Sequence, residues 1–442
     1  MKEEITMPVV NARAAGIDIG SKSHFVAVGQ GVDEIREFDV NTEGYGKSIA
    51  FLKEHGITSI AMESTGSYWQ SFYAVLERAG FEVLLVPGSQ TKNLRKKTDV
   101  KDAQWIQKLH SLGLLSGSFL PDDQTLRLRT ISRHRASLVG TCAKYTNKIQ
   151  KSLRLMNIRL DVCIRDIVGK SGRAIIEDIL RGERDPGNLV CHIDRRVKKS
   201  QEEIALHLEG QWNEELLYEL KDSYELLQIH ESRIKDCDVQ IERILSAHQR
   251  QEEIDHNRQL AKKQVKGKHA CTVDLSRQCY EIFGVDIFSV NGIGPGSALT
   301  FVSEMGMNIY KFPTAKHFSS WLRLAPNNRI SGGKVITSRT EKSRNQLTKA
   351  FRDAANAVGL SKGGDFLSHF FRRIAFKKGR GAAITATARK ISVIIWNMIV
   401  KKQDYNPISV ADFTESIKQK KINQINKDVK KFGIIIEELS VA

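Results

Sequence analysis

Three short β-rich runs follow one another near the N-terminus before the chain begins to alternate helix with strand, and few folds accept that order. The runs are Gly16-Ile17-Asp18-Ile19-Gly20, His24-Phe25-Val26-Ala27-Val28 and Ile35-Arg36-Glu37-Phe38-Asp39-Val40. Turn-like stretches separate them, so they read as consecutive antiparallel strands. A helical pattern from about Tyr45 to His55 then leads to Ser59-Ile60-Ala61-Met62-Glu63, and a second from Tyr68 to Ala79 leads to Glu82-Val83-Leu84-Leu85-Val86. Pro87-Gly88 breaks the chain before a last helix, giving the order βββαβαβα.

A meander followed by parallel strands with helical crossovers is the topology of a ribonuclease H-like domain. Beyond it the pattern turns long, polar and helical, from about Gln124 to Leu160 and again from about Lys198 to Ala261. Leu220, Leu227, Ile234 and Ile241 recur every seven residues in the second stretch, which fits either a coiled-coil arm or the core-facing side of a helix bundle. Past Gly267 the composition becomes small, basic and glycine-rich, placing a boundary near residue 275. The expected class is therefore α/β plus α: a ribonuclease H-like domain over 1–120, a helical, coiled-coil region over 121–275, a mostly helical domain over 276–405 and a basic tail over 406–442.

Charge identifies the kind of partner. Residues 1–120 hold 13 basic and 14 acidic side chains, 121–290 hold 29 and 27, and 291–442 hold 26 and 10. A positive field confined to one third of the chain concentrates a phosphate backbone by counterion release, so nucleic acid is the expected partner. The longest apolar run, Ile391 to Val400, falls short of the roughly 18 residues a bilayer span requires, and the acidic Met1-Lys2-Glu3-Glu4 start is unlike a secretory signal. No membrane association and a cytoplasmic location are expected. Six cysteines without metal-ligand spacing read as reduced thiols.

Four carboxylates carry the chemistry. Asp18 lies in the first strand between glycines that permit close backbone approach, Glu63 ends the fourth strand, and Asp99 and Asp102 open the last helix at an i, i+3 spacing that shares a face. In a ribonuclease H-like sheet the first and fourth strands are neighbours, so Asp18 and Glu63 meet near the centre and the last helix delivers the other two. Like charges gathered in this way raise one another's pKa unless a cation lies between them, which suits Mg²⁺. Taken singly, each acid also fits a solvated strand end or a helix cap.

Two further motifs lie in the basic third. Val290-Asn291-Gly292-Ile293-Gly294-Pro295-Gly296 resembles the hairpin of a helix-hairpin-helix element, whose free N–H groups bind phosphate; it also reads as a plain glycine turn. Ser331-Gly332-Gly333-Lys334, with Arg339 and Arg344 beyond, sets a hydroxyl among cations, where it can attack phosphorus, although Ser-Gly-Gly is equally a structural turn.

In order along the chain, the Gly16–Gly20 strand, Glu63-Ser64-Thr65-Gly66, Lys97-Thr98-Asp99-Val100-Lys101-Asp102-Ala103, the Gly292–Gly294 hairpin and Trp321-Leu322-Arg323-Leu324-Ala325-Pro326 leading to Ser331-Gly332-Gly333-Lys334 resemble a DEDD transposase of insertion-sequence family 110. The resemblance spans about residues 14–402. It implies a RuvC-like domain, a coiled-coil dimerisation region and a C-terminal transposase domain. It maps the acidic tetrad onto Asp18, Glu63, Asp99 and Asp102 as Mg²⁺ ligands and the nucleophile onto Ser331, while the glycine hairpin and the basic loop themselves point to Gly292, Gly294, Lys334, Arg339 and Arg344 as nucleic-acid contacts. It further implies donor and target DNA as substrates, a structured non-coding guide RNA, a phosphoserine intermediate, and a homo-oligomer that is a dimer at least and a tetramer on DNA. Two other readings of the residues remain: a metal-dependent nuclease or junction resolvase that uses water, and a non-catalytic nucleic-acid-binding scaffold.

Overall fold

The structure, a computed structural model, describes residues 7–91, 98–247, 254–261, 267–343 and 345–432. The chain divides into two compact units, Met1–Leu120 and Pro121–Ala442.

In the first unit β1 (Ala14–Ile19), β2 (Ser23–Ala27) and β3 (Ile35–Asp39) precede α1 (Thr42–Glu54), β4 (Ser59–Glu63), α2 (Trp69–Arg78), β5 (Glu82–Val86), the single turn α3 (Gly88–Thr91) and α4 (Asp99–Ser111). The sheet order is β3-β2-β1-β4-β5, with β1 antiparallel to β2 and parallel to β4. This is the order expected of a ribonuclease H-like domain. Strand alternation sends Ala15, Ile17 and Ile19 to one face, where they pack with Phe51 and Leu52 of α1 and Phe72 and Leu76 of α2. Gly16 and Asp18 face the other way, toward α4. A Cβ on Gly16 would collide with the Gln107 backbone nitrogen and lie 2.5 Å from the Ala103 carbonyl oxygen, so only glycine lets α4 rest on β1.

The second unit holds α5 (Asp123–Leu155), α6 (Leu160–Cys163), α7 (Lys170–Arg181), α8 (Pro186–Val190), α9 (Gln201–Leu208) and α10 (Glu214–Ser246). Then come α11 (Leu275–Phe283), α12 (Pro295–Glu304), α13 (Ala315–Trp321), the strands β6 (Arg329–Ser331) and β7 (Lys334–Thr337), α14 (Gln346–Leu360), α15 (Phe366–Lys378), α16 (Arg380–Lys401) and α17 (Val410–Phe432). The long helices α5 and α10 run antiparallel: Gln124 donates to the Ala247 carbonyl at 3.2 Å near one end, and Ser152 to Glu219 at 3.3 Å near the other. Between them Arg135 and Asp238 form a buried ion pair, Nε to Oδ1 2.5 Å, and Asp238 also accepts from the Thr272 backbone N–H at 3.2 Å.

Two expectations change. The second helical stretch is not continuous: α9 stops at Leu208 and α10 begins at the Asn213 cap, and Gly210 in the link between them packs so close to Ile158 that a Cβ there would lie 2.7 Å from its Cγ1. The seven-residue column also faces inward. Leu220, Leu227 and Ile234 are buried in one core with Ile149 and Leu153 of α5, so the stripe is consumed within the chain rather than presented to a partner helix. Among the described residues α16 is the one helix long and apolar enough, by length and composition, to cross a bilayer; half of its most apolar stretch is buried inside the unit. All six cysteines are free thiols.

Candidate active site

The last paired residues of the central strands, Ile17 and Met62, are followed by Asp18 and Glu63, side by side on the face that α4 covers. Helix α4 starts at the Thr98 cap, whose hydroxyl accepts from the Lys101 N–H at 3.3 Å, so Asp99 and Asp102 occupy its first turn. Its far end is tied to the sheet unit by Asn11 donating to the His110 carbonyl at 2.8 Å and by Ser59 bonding the His110 ring at 2.8 Å. Gln107 donates to the Ala14 carbonyl at 3.2 Å. These contacts fix the axis that carries the two acids.

The other three carboxylates act on Asp18. The Asp18 carboxyl is pushed up to about 6, first by burial and then by the charges of Asp102, Glu63 and Asp99. Asp18, Glu63 and Asp102 are half-buried and Asp99 is exposed. Glu63 is held in place: Thr91 donates its hydroxyl to Oε2 at 2.6 Å, and a Cβ on Gly88 would lie 2.5 Å from Oε1. Thr91 and Gly88 escape a reading of the sequence, in which Gly88 registers only as a chain break; its missing side chain makes room for Glu63. Among the described residues no three His, Cys, Asp or Glu side chains stand close enough together to enclose a metal ion as they are arranged. The donor set nevertheless suits a hard divalent cation: all four are oxygen ligands, and their mutual repulsion, registered at Asp18, is what such a cation relieves.

In the second unit Ser331 sits at the tip of the β6–β7 hairpin, paired with Lys334 across a two-residue turn. Gly332 and Gly333 have φ of 54° and 75°, the left-handed conformations a primed hairpin turn needs. The expected glycine loop is thus a β-hairpin, and its residues Ser331 and Lys334 are exposed. Arg339 lies beyond β7, exposed, its carbonyl accepting from the Asn327 N–H at 3.3 Å; Arg344 lies outside the described residues. Ser343 is engaged in structure, donating to the Thr348 hydroxyl at 3.2 Å and accepting from the Asn345 N–H at 3.2 Å.

The glycine motif before α12 divides its labour. Gly292, at φ 93°, packs on α14, where a Cβ would lie 2.5 Å from the Ala354 carbonyl, while Gly294 caps α12 ahead of Pro295 without a side-chain bond. The other end of α12 is anchored to α5: Arg133 grips Glu304 with two bonds of 2.8 Å, and Arg129 donates to the Glu304 carbonyl at 2.7 Å. Nothing local in the sequence pairs residues so far apart.

A five-stranded sheet in the order 3-2-1-4-5, with Asp18 on its central strand under the charges of three further acids, has the arrangement of a ribonuclease H-like domain. Residues 15–158 match the IS110-type DEDD transposase family, described as transposase, and residues 286–368 match the transposase IS116/IS110/IS902 family. No curated protein matches the chain. The two matched stretches cover a little over half of it and lie in the family's order, so the chain belongs to the IS110 family of DEDD transposases and is an enzyme that recombines DNA.

Proposed function

We propose that the enzyme cuts and rejoins DNA through a phosphoserine link formed by Ser331, with Asp18, Glu63, Asp99 and Asp102 holding Mg²⁺. The observation that carries this reading is the gathering of the four acids around Asp18. Bound there, the cation would supply positive charge against the phosphate undergoing exchange. Thr91 and Gly88 hold Glu63, and Gly16 holds α4 on the sheet, so the elements that carry the carboxylates are fixed. The Ser331 oxygen bonds to phosphorus as one P–O bond to the strand breaks. Its proton is lost to water, and the released strand oxygen takes one up. Lys334 and Arg339, which follow Ser331 in the sequence, supply positive charge against the phosphate charge that builds. A covalent end retains the bond for rejoining, so recombination needs no external energy source.

Around this chemistry we place a RuvC-like domain at 1–120, a dimerisation region at 121–275, a transposase domain at 276–405 and a basic tail at 406–442. In this reading α11, the Gly292–Gly294 turn and α12 act as a helix-hairpin-helix element on the phosphate backbone. Target choice falls to a structured guide RNA, in keeping with 26 basic against 10 acidic residues after 290 and no motif for reading the major groove. The enzyme acts in the cytoplasm as a dimer at least and as a tetramer on two duplexes, since exchange breaks four strands. Incubation with labelled element-end DNA and Mg²⁺, followed by a denaturing gel, tests the mechanism. A protein–DNA adduct supports it, whereas cleaved ends without an adduct indicate a nuclease that uses water.

A further inference from the structure

Phe376 is the most exposed large apolar side chain among the described residues, 93% open to solvent. It lies near the end of α15, whose apolar face is buried through Phe366, Leu367 and Phe371. Five residues beyond Phe371 amount to about 140° around a helix, so Phe376 points away from that core and contributes nothing to holding the fold. Every residue from Phe376 to Ala382 is exposed, in the order Phe376-Lys377-Lys378-Gly379-Arg380-Gly381-Ala382, with no acid among them. A Cβ on Gly379 or Gly381 would meet nothing within 4 Å, so the α15–α16 turn stands clear of the rest of the unit. The turn is nonetheless held firmly from behind. Arg372 donates to the Ser361 and Gly363 carbonyls at 3.0 and 2.9 Å, and Arg380 to the Asn356 side chain at 2.6 Å.

An aromatic ring on a rigid, solvent-facing tip, followed at once by two exposed lysines, matches the two surfaces of a single strand: a flat base and the phosphates beside it. We propose that the α15–α16 turn binds single-stranded DNA, with Phe376 stacked on one unpaired base and Lys377 and Lys378 on the adjoining phosphates. DNA is the occupant because the enzyme recombines DNA and strand exchange unpairs bases. A base within a duplex hides both of its faces and offers the ring nothing. The proposal rests on the transposase reading but not on Ser331 or the metal.

The test uses the full-length protein and a fluorescent 20-nucleotide strand as DNA, as its duplex and as RNA of the same sequence, at fixed salt. Stacking one base on an aromatic ring is worth on the order of tenfold in affinity. Phe376→Ala should therefore bind the DNA strand about tenfold more weakly and the duplex nearly unchanged, with an unaltered melting temperature and oligomeric mass. Phe376→Trp should restore binding, and Lys377→Gln with Lys378→Gln should weaken strand binding and flatten its salt dependence. An equal loss on strand and duplex, a loss confined to RNA, no loss at all, or a change in oligomeric mass would overturn the proposal. A parent protein that bound no DNA in any form would instead overturn the functional reading, and this proposal with it.

Discussion

Gly16 of β1 and Gln107 of α4 meet backbone to backbone, and that contact sets where Asp99 and Asp102 stand relative to Asp18. Adding a methyl group at Gly16 must push α4 away from the sheet. Gly16→Ala is expected to cost roughly 1–3 kcal/mol of stability in the first unit and to lose strand cleavage, with DNA binding retained. Thermal melting and a cleavage assay on the same preparation check this; full activity would show that α4 need not lie where it does.

Asp18 yields a prediction about pH. Its carboxyl is raised from 3.8 to about 6, so the folded state holds the proton more tightly than the unfolded chain. Ionising it therefore costs stability: nothing below the unfolded value, a growing amount up to about 6, and the full amount above. Without divalent metal, Asp18→Asn should raise the melting temperature at pH 7.5, and the gain should vanish below the unfolded value, by about pH 3. Discounted for the water that reaches a half-buried carboxyl, the gain is on the order of 1 kcal/mol. Mg²⁺ should stabilise the parent more at pH 7.5 than at pH 5, and the variant little at either.

The ion pair of Arg135 and Asp238 joins α5 to α10 in a setting closed to water. Asp238→Ala leaves the guanidinium buried without its charge partner and should cost about 3–5 kcal/mol, while adding Arg135→Met should recover much of the loss. Melting curves of the two single variants and the double variant decide it. Additive losses would show that the two side chains do not act as a pair.

Leu227 is fully buried between α5 and α10 of one chain. Leu227→Asp should accordingly destroy the cooperative melting of the helical unit rather than split an otherwise intact oligomer. A lower mass by light scattering with an unchanged melt would mean that the column faces a partner after all.

What could be read from the sequence divides along physical lines. The strands of the first unit were legible because each is short, β-rich and bounded by turn residues, and their order placed Asp18 and Glu63 together. The i, i+3 spacing of Asp99 and Asp102 was likewise local. The supports were not: Thr91 and Gly88 reach Glu63 through the fold, and Arg129 and Arg133 reach Glu304 across about 170 positions, as the separation of 171 between Arg133 and Glu304 shows. The β6–β7 hairpin was within reach, since Lys334-Val335-Ile336-Thr337 is a β-rich run after Gly332-Gly333, yet the glycines read more simply as a loop. The heptad column was visible, but a seven-residue period does not say whose helix it faces.

Ser331 is where the account stands or falls. Ser331→Ala removes one exposed hydroxyl from a hairpin tip and should leave melting temperature and DNA binding at the parent's values. With labelled element-end DNA and Mg²⁺, the parent should give a covalent protein–DNA adduct on a denaturing gel and the variant none. Ser338→Ala and Ser343→Ala should both keep the adduct, with Ser343→Ala losing a little stability through its bonds to Thr348 and Asn345. An adduct that persists in Ser331→Ala, or that disappears with Ser338 or Ser343 instead, would contradict the assignment of the nucleophile.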